Sequence, residues 1–179
     1  MLLHIDPPTG SPITKLEEAL RTNPDTLIIF GHANAYNSPA NIEPLLSAHP
    51  NLYIDFFAGF SAYNPNSINT LADFVPMIEK YPDRFMVSTD SGYAVGYSQA
   101  VQAMYELLDL LTPATACKVA YQNFERILEL QLPTGTQIAQ IEALSRQADE
   151  NGTRKLNKRQ ANELIFELQA RVPMDADLP

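Results

Sequence analysis

Short apolar runs alternate along the chain with longer segments in which apolar residues recur every three or four positions. The short runs predict β-strands at residues 2–5, 26–30, 52–57 and 84–88. The longer segments predict helices at residues 14–23, from 39 onward, at 67–80, at 98–111 and from 113 onward. This alternation is typical of parallel βαβ units, so we expect an α/β fold.

Local signals predict where the first two helices begin. Thr14, with Glu17 three residues later, matches the capping box that satisfies backbone N–H groups at a helix start. Ser38 before Pro39 matches a cap residue followed by proline in the first helical position.

The C-terminal part of the chain has a different pattern. Polar-faced helical segments at residues 136–148 and 158–170 predict a helical hairpin. We therefore expect two domains, one at residues 1–132 and the hairpin with its tail at 133–179. Residues 149–160 faintly resemble a calcium-binding EF-hand loop, but they lack its turn glycine and its final glutamate. We expect no calcium there.

Three residues with metal-binding side chains follow the predicted strands. His4 ends the first run, His32 follows the second, and Asp90 follows the fourth. In parallel α/β barrels, catalytic side chains from the carboxyl ends of several strands meet in one mouth. Two imidazoles and a carboxylate are natural ligands for a divalent metal. The alternative is that the histidines are separate structural hydrogen-bonding residues and that Asp90 belongs to an Asx turn.

Composition narrows the classes of function. The formal net charge of −9 disfavours binding to nucleic acids and to anionic membranes. No apolar stretch is long enough to cross a bilayer, and the N-terminus lacks the basic region of a signal peptide. The single cysteine, Cys117, excludes an internal disulfide and is expected as a buried structural thiol. We expect a cytoplasmic protein with a small-molecule substrate.

Five segments in a fixed order resemble the second half of proteins in the amidohydrolase-related family of metal-dependent hydrolases. They are residues 4–8, 16–34, 51–56, 84–93 and 119–128. The resemblance covers roughly residues 1–130 and implies about strands five to eight, with their helices, of a (β/α)8 (TIM) barrel. It also implies hydrolysis of an amide, an ester or a lactone, or metal-assisted decarboxylation.

The resemblance implies roles for the strand-end residues. His4 matches the family's metal ligand on strand five. His32 matches the strand-six histidine, which binds a second metal or contacts the reacting group. Asp90 matches the strand-eight aspartate, which binds metal and moves a proton. The implied cofactor is a divalent ion, zinc first and manganese or iron as alternatives, and Asn123 is expected to have a structural role.

The family's first metal-binding pair has no counterpart here, because the chain contains no His-x-His. A half barrel leaves open sheet edges and an uncovered apolar face. We therefore expect a homodimer or a complementary N-terminal half-barrel chain. The alternative is a catalytically inactive remnant that acts as a binding or scaffold module.

Four further residues are candidates for substrate binding. Asn34, Tyr36 and Tyr93 lie close in sequence to the predicted ligands, and Asp55 lies on the third predicted strand. Loops at strand ends often carry binding residues. The alternatives are exposed loop aromatics and a carboxylate that caps a loop.

Overall fold

The structure is a computed structural model that describes residues 1–4, 13–90, 92–131, 135–147 and 158–171. The chain forms two compact units, Met1–Phe124 and Glu125–Pro179. Within the described residues, no helix has both the length and the apolar character needed to cross a membrane.

The first unit is built on a four-stranded parallel sheet. Its strands, in the spatial order β1-β2-β3-β4, are Leu2–His4 (β1), Ile28–Gly31 (β2), Leu52–Phe57 (β3) and Phe85–Ser88 (β4). Each strand therefore pairs with its neighbour in sequence. The α/β class is confirmed.

Helices connect the strands, as parallel pairing requires. The connecting helices are Ile13–Thr22 (α1), Pro39–Ala48 (α2), Ala58–Tyr63 (α3) and Leu71–Lys80 (α4). After β4 follow Tyr97–Leu110 (α5), Pro113–Cys117 (α6) and Asn123–Gln131 (α7). A 3₁₀ turn at Pro82–Arg84 precedes β4, and a π-helical turn at Lys118–Gln122 joins α6 to α7.

The main core lies between the helices and one face of the sheet. One row of this face crosses all four strands in register, from Leu3 to Phe30 to Ile54 to Phe85. Phe30, Ile54 and Phe85 are fully buried in a cluster that includes Leu16 of α1. The core therefore uses every second residue of each strand, and the residues between them point to the other face.

Some predicted helix starts are wrong. The first helix begins at Ile13, so Thr14 lies inside its first turn rather than at its cap. Helix α4 begins at Leu71 rather than at the predicted residue 67, and Thr70 and Asp73 form its capping box. Ser38 does occupy the cap of α2, as predicted, without a side-chain capping hydrogen bond.

Two other expectations have clear outcomes. Cys117 is exposed, not buried, because it ends the short helix α6 on the solvent side. The structural role expected of Asn123 is confirmed, since its amide donates hydrogen bonds to the carbonyl oxygens of Pro82 and Phe85, each at 2.8 Å. This residue ties the start of α7 to the turn before β4.

The second unit contains the helices Gly135–Gln147 (α8) and Lys158–Arg171 (α9). They share a small core whose buried members are Ile141, Leu144, Ala161, Ile165 and Leu168. Two helices therefore form where the hairpin is predicted. The segment that resembles an EF-hand loop lies, except for its last residues, outside the described residues.

Candidate functional site

Two imidazole rings meet at the carboxyl ends of β1 and β2. His4 is the last residue of β1 and pairs in register with Gly31, so His32 follows directly beyond the end of β2. His4 Nδ1 lies 2.6 Å from His32 Nε2, and the ring centroids are 4.6 Å apart. At this distance one nitrogen donates a hydrogen bond to the other. The two strand-end histidines therefore lie together, while their role as metal ligands stays a prediction.

Gly31 permits this close approach of the strands. A β-carbon at this position would lie 3.3 Å from the carbonyl oxygen of Leu3 and 3.4 Å from Cε1 of His4. A larger residue would therefore press on the backbone of β1 and on the ring of His4. The glycine gives the His4 ring room to turn towards His32.

The backbone of His32 is held in an uncommon conformation by Asp55. The φ angle of His32 is +38°, a value that non-glycine residues seldom adopt without support. Its N–H donates to Asp55 Oδ2 at 3.1 Å, and the N–H of Ala33 donates to the backbone oxygen of Asp55 at 3.0 Å. His32 itself is only 4% exposed. Asp55 thus positions this imidazole from β3, a role that the sequence pattern does not reveal.

Burial raises the pKa of Asp55 above its ordinary value, and the nearby charge of Asp90 adds to this effect. The Ser88 hydroxyl and the His32 N–H act in the opposite direction, because they stabilise the ionised carboxyl. Ser88 Oγ lies near Asp55 but makes no hydrogen bond of standard geometry to any described residue.

Asp90 lies two residues beyond the end of β4 and is exposed. Its charge acts on Asp55, so the two carboxyl groups occupy the same end of the sheet. Within the part of the chain that the structure describes, no three His, Cys, Asp or Glu side chains are grouped as metal ligands. The structure thus places the two histidines together but does not add Asp90 to them as a third ligand.

An aromatic cluster covers the buried side of His32. The Tyr93 hydroxyl lies 3.5 Å from His32 Nε2, and the two ring centroids are 5.5 Å apart. Tyr93 also packs edge-on against Phe60 and Tyr36, which contact each other. Tyr36, Tyr93 and Ala94 all have positive φ angles, between +53° and +63°. Such strained positions often cluster at functional sites, where the surrounding structure must hold them.

The buried side chain of Asn34 stabilises the backbone of the site through hydrogen bonds. It is 2% exposed, and its amide nitrogen donates to the Phe57 carbonyl at 2.8 Å and to Ser61 Oγ at 2.9 Å. Its oxygen accepts from the N–H of Phe57 at 2.9 Å. These bonds tie the loop after β2 to the start of α3. The Asn34 amide is therefore engaged in hydrogen bonds that stabilise the loop. By contrast, Tyr36, Tyr93 and Asp55 are only partly buried, so their side chains are accessible to a ligand.

Sequence reasoning missed four residues that contribute to the site. Ser88 was assigned only to a strand. Because side chains alternate between the two faces of β4, Ser88 lies on the same face of the sheet as Asp55. Phe57 and Phe60 pack around Tyr93, and the apolar run from residue 56 to 60 is the one signal that pointed to them. Asn64 donates a short hydrogen bond to the carbonyl oxygen of Tyr93, for which the sequence carries no signal.

The arrangement places two imidazoles in direct hydrogen-bond contact, so a proton can pass between them, with the carboxyl groups of Asp55 and Asp90 at the same end of the sheet. No family model, curated protein or solved structure matches the chain.

Proposed function

We propose that this chain is the second half of a metal-dependent hydrolase barrel, equivalent to strands five to eight of a (β/α)8 barrel. The sequential order of four parallel strands supports this, as does the main core between one face of the sheet and the helices that include α1 and α4. The proposed reaction is hydrolysis of an amide, an ester or a lactone, or metal-assisted decarboxylation, of a small molecule in the cytoplasm.

The single observation that carries the proposal is the 2.6 Å approach of His4 Nδ1 to His32 Nε2 at the carboxyl ends of adjacent strands. Imidazole nitrogens suit zinc first and iron as an alternative, whereas manganese prefers oxygen ligands. The two imidazoles would supply two ligands of a divalent ion. Because Zn–N bonds are about 2.0–2.1 Å long, the rings would have to move further apart than 2.6 Å to admit it. When bound, such an ion acidifies water and polarises a carbonyl group.

The protein's own residues divide the remaining work. His4 and His32 would hold the ion, and Asp55 keeps His32 in place by accepting a hydrogen bond from its backbone N–H. Asp90, exposed at the same end of the sheet, would act as the general base that accepts a proton from water. The Tyr93 hydroxyl beside His32 Nε2 orients the ring or a bound substrate.

A half barrel needs a partner on its open side. Among the described strands, β1 and β4 form the two edges of the sheet, and Leu2 of β1 is 54% exposed. An open parallel edge with an apolar face is normally covered. The proposed partner is a second copy of this chain or a complementary chain that carries the first four strands.

A second candidate function is a non-catalytic binding module. The direct hydrogen bond between His4 and His32 favours it, because each ring satisfies the other without an ion. Such a module binds a small molecule at the same strand ends and leaves it unchanged.

Zinc binding to chelator-treated protein separates the two candidates. Calorimetric titration should show one zinc ion per chain. His4→Ala and His32→Ala should each weaken zinc binding by at least about 100-fold, since even residues that only support a metal ligand contribute 10–100-fold. Asp90→Asn should lower hydrolysis of a p-nitrophenyl ester, an anilide and a lactone by about 10²–10⁴-fold.

His49, the third histidine of the chain, provides the matched control. It is the C-cap residue of α2 and comes shortly before β3 begins, away from the carboxyl ends of the strands. His49→Ala should bind zinc as the natural chain does. Absence of zinc binding, or equal losses in all three histidine variants, would overturn the metal proposal. Zinc binding with no hydrolysis of any of the three substrates would favour the binding module.

A further inference from the structure

The loop after β4 contains a turn that its own residues do not favour. The N–H of Val95 donates to the carbonyl oxygen of Gly92 at 2.9 Å, which closes a four-residue turn. Its two central residues, Tyr93 and Ala94, have φ angles of +53° and +61°. Turns with two left-handed central residues normally place Asn, Asp or Gly there, because other L-residues are strained. Contacts from outside the turn must therefore hold Tyr93 in this conformation.

The short helix α3 supplies such contacts. The Tyr93 ring packs edge-on against Phe60 of α3, with centroids 5.6 Å apart. The amide of Asn64, the C-cap residue of α3, donates a hydrogen bond to the carbonyl oxygen of Tyr93. Asn64 is 8% exposed, and its side-chain oxygen accepts the N–H of Asn66 at 2.7 Å. Both ends of the Asn64 amide are therefore engaged, which fixes the direction of its donor.

The position of Tyr93 matters because its side chain reaches the histidine pair. Its hydroxyl lies 3.5 Å from His32 Nε2, the nitrogen that also lies 2.6 Å from His4 Nδ1. A separation of 3.5 Å is at the outer limit of a hydrogen bond, so a small displacement of the turn would take the hydroxyl out of reach. Whatever holds the turn in place also holds the Tyr93 hydroxyl beside His32.

Helix α3 also supports the other side of this contact. Asn34, two residues after His32, donates to Ser61 Oγ in α3 at 2.9 Å. The helix is six residues long, and it thus binds the loop after β2 through Asn34 and the loop after β4 through Asn64. Because one short helix holds both loops, it fixes the position of Tyr93 relative to His32.

We propose that Asn64 is a positioning residue, which sets the Tyr93 hydroxyl against the His32 imidazole through its hydrogen bond to the Tyr93 carbonyl. Asn64 acts through Tyr93 and does not take part in the chemistry. In the proposed hydrolase Tyr93 orients the His32 ring or a bound substrate, so any effect of Asn64 on catalysis rests on the proposed function. The effect on the geometry of the two rings does not.

Nuclear Overhauser effects between the ring protons of Tyr93 and His32 test this geometry in chelator-treated protein. Tyr93→Phe and His32→Gln identify the two sets of signals, and the natural chain should show a cross-peak between them. Asn64→Asp should lose this cross-peak. An ionised aspartate keeps the size of the side chain and the oxygen that accepts the Asn66 N–H, but it has no donor for the Tyr93 carbonyl.

Asn66→Asp is the matched control, because Asn66 is exposed and contributes its backbone N–H to Asn64. It makes the same change of charge two residues away and should keep the cross-peak. Asn64→Ser keeps a donor of shorter reach and serves as a second variant if Asn64→Asp does not fold. It should weaken the cross-peak. A residue that only stabilised the end of α3 would lower the free energy of unfolding and leave the cross-peak unchanged in folded protein.

Hydrolysis of the p-nitrophenyl ester, the anilide and the lactone gives the catalytic reading. Asn64→Asp should lower kcat by up to about 100-fold, as small misplacements of a group at an active site do. Asn66→Asp should leave kcat unchanged.

The inference is overturned if the natural chain shows no cross-peak, if a folded Asn64 variant keeps it at full strength, or if Asn66→Asp loses it equally. These spectra contain no metal and no substrate, so they do not depend on the hydrolase. Loss of the cross-peak in Asn64→Asp, with no hydrolysis by the natural chain, overturns the hydrolase and supports the role of Asn64. Hydrolysis with an unchanged cross-peak in Asn64→Asp overturns only the role of Asn64.

Discussion

The two faces of the sheet have opposite characters, although they alternate residue by residue along the same strands. On β3, Ile54 and Phe56 are fully buried against the helices. Tyr53 and Asp55, between them, are only partly buried and point to the other face. The helix-covered face is hydrocarbon throughout, whereas the open face ends in His4, Asp55 and Ser88. Each strand thus contributes to the core with one set of residues and to the candidate site with the other.

The residues that stabilise the fold therefore lie on one face of the sheet, and the residues of the candidate site lie on the other. Burial on the covered face supplies most of the free energy that orders the strands. The open face contributes less burial, so it can place polar groups at its carboxyl end, where the surrounding core holds their backbones in position. The following substitutions test whether the two roles are separate in fact.

The largest effect should come from truncating the covered face. Phe56 is fully buried, and its ring packs edge-on against Phe74 with centroids 4.9 Å apart. Phe56→Ala should lower the free energy of unfolding by about 3–5 kcal/mol, because it leaves a cavity in the core. Urea denaturation measures this loss.

The same change on the open face is the control for Phe56→Ala. Phe124 is 51% exposed and lies beside Ile29 and Met86 on the open face, so Phe124→Ala should cost less than about 1 kcal/mol. Similar losses in both variants would show that the open face also stabilises the unit, and the contrast between the faces would fail.

A smaller effect, with a definite sign, concerns Asp55 in metal-free protein. Its pKa is raised by burial above 3.8, so above pH 3.8 the folded chain keeps a proton that the unfolded chain has lost. The free energy of unfolding therefore falls as the pH rises through the raised pKa. Asp55→Asn should remove this fall, as measured by urea denaturation across the acidic range.

Asp73 provides a control of opposite sign. Hydrogen bonds from Thr70 lower its pKa, so its contribution to stability is lost as the pH falls through that lowered value. Asp73→Asn should change the profile only at its acid end. A pH profile of Asp55→Asn that matches the natural chain would contradict the buried placement of this carboxyl group.

The smallest effect should come from the strained loop above the open face. Ala94 is exposed and has a φ angle of +61°, which costs an L-residue roughly 1–2 kcal/mol. Ala94→Gly should raise the free energy of unfolding by up to about 1 kcal/mol after the entropy cost of glycine. Thermal unfolding measures the gain. Ala72→Gly, in the ordinary helical region of α4, should instead lose stability.

The strands were predictable because their pattern is strong. The strands β2, β3 and β4 lie within one or two residues of the predicted runs, since buried parallel strands are nearly continuous in apolar residues. Helix α3 was missed because Ala58 follows Phe57 directly, without a cap residue or a turn to separate helix from strand. Thr14 was misplaced because a threonine in the first turn looks the same in sequence as one at the cap.

The candidate site was only partly predictable. Parallel neighbours end at the same edge, so the strand-end positions of His4 and His32 were enough to anticipate that they meet. The support of His32 by Asp55 depends on a backbone N–H, which every residue except proline has, so no side-chain pattern signals it. The direction of Asp90 depends on its loop, whose course no hydrophobic pattern specifies.

The edge position of β1 limits how long anything bound at the histidine pair can stay there. Among the described strands β1 lies at one edge of the sheet and pairs with β2 alone, so its local opening costs less than unfolding the unit. Each opening carries His4 away while β2, β3 and β4 remain packed. The dissociation rate of a bound ion is then tied to the fraying of one strand, and a partner that paired with β1 would lengthen the residence time without touching either imidazole.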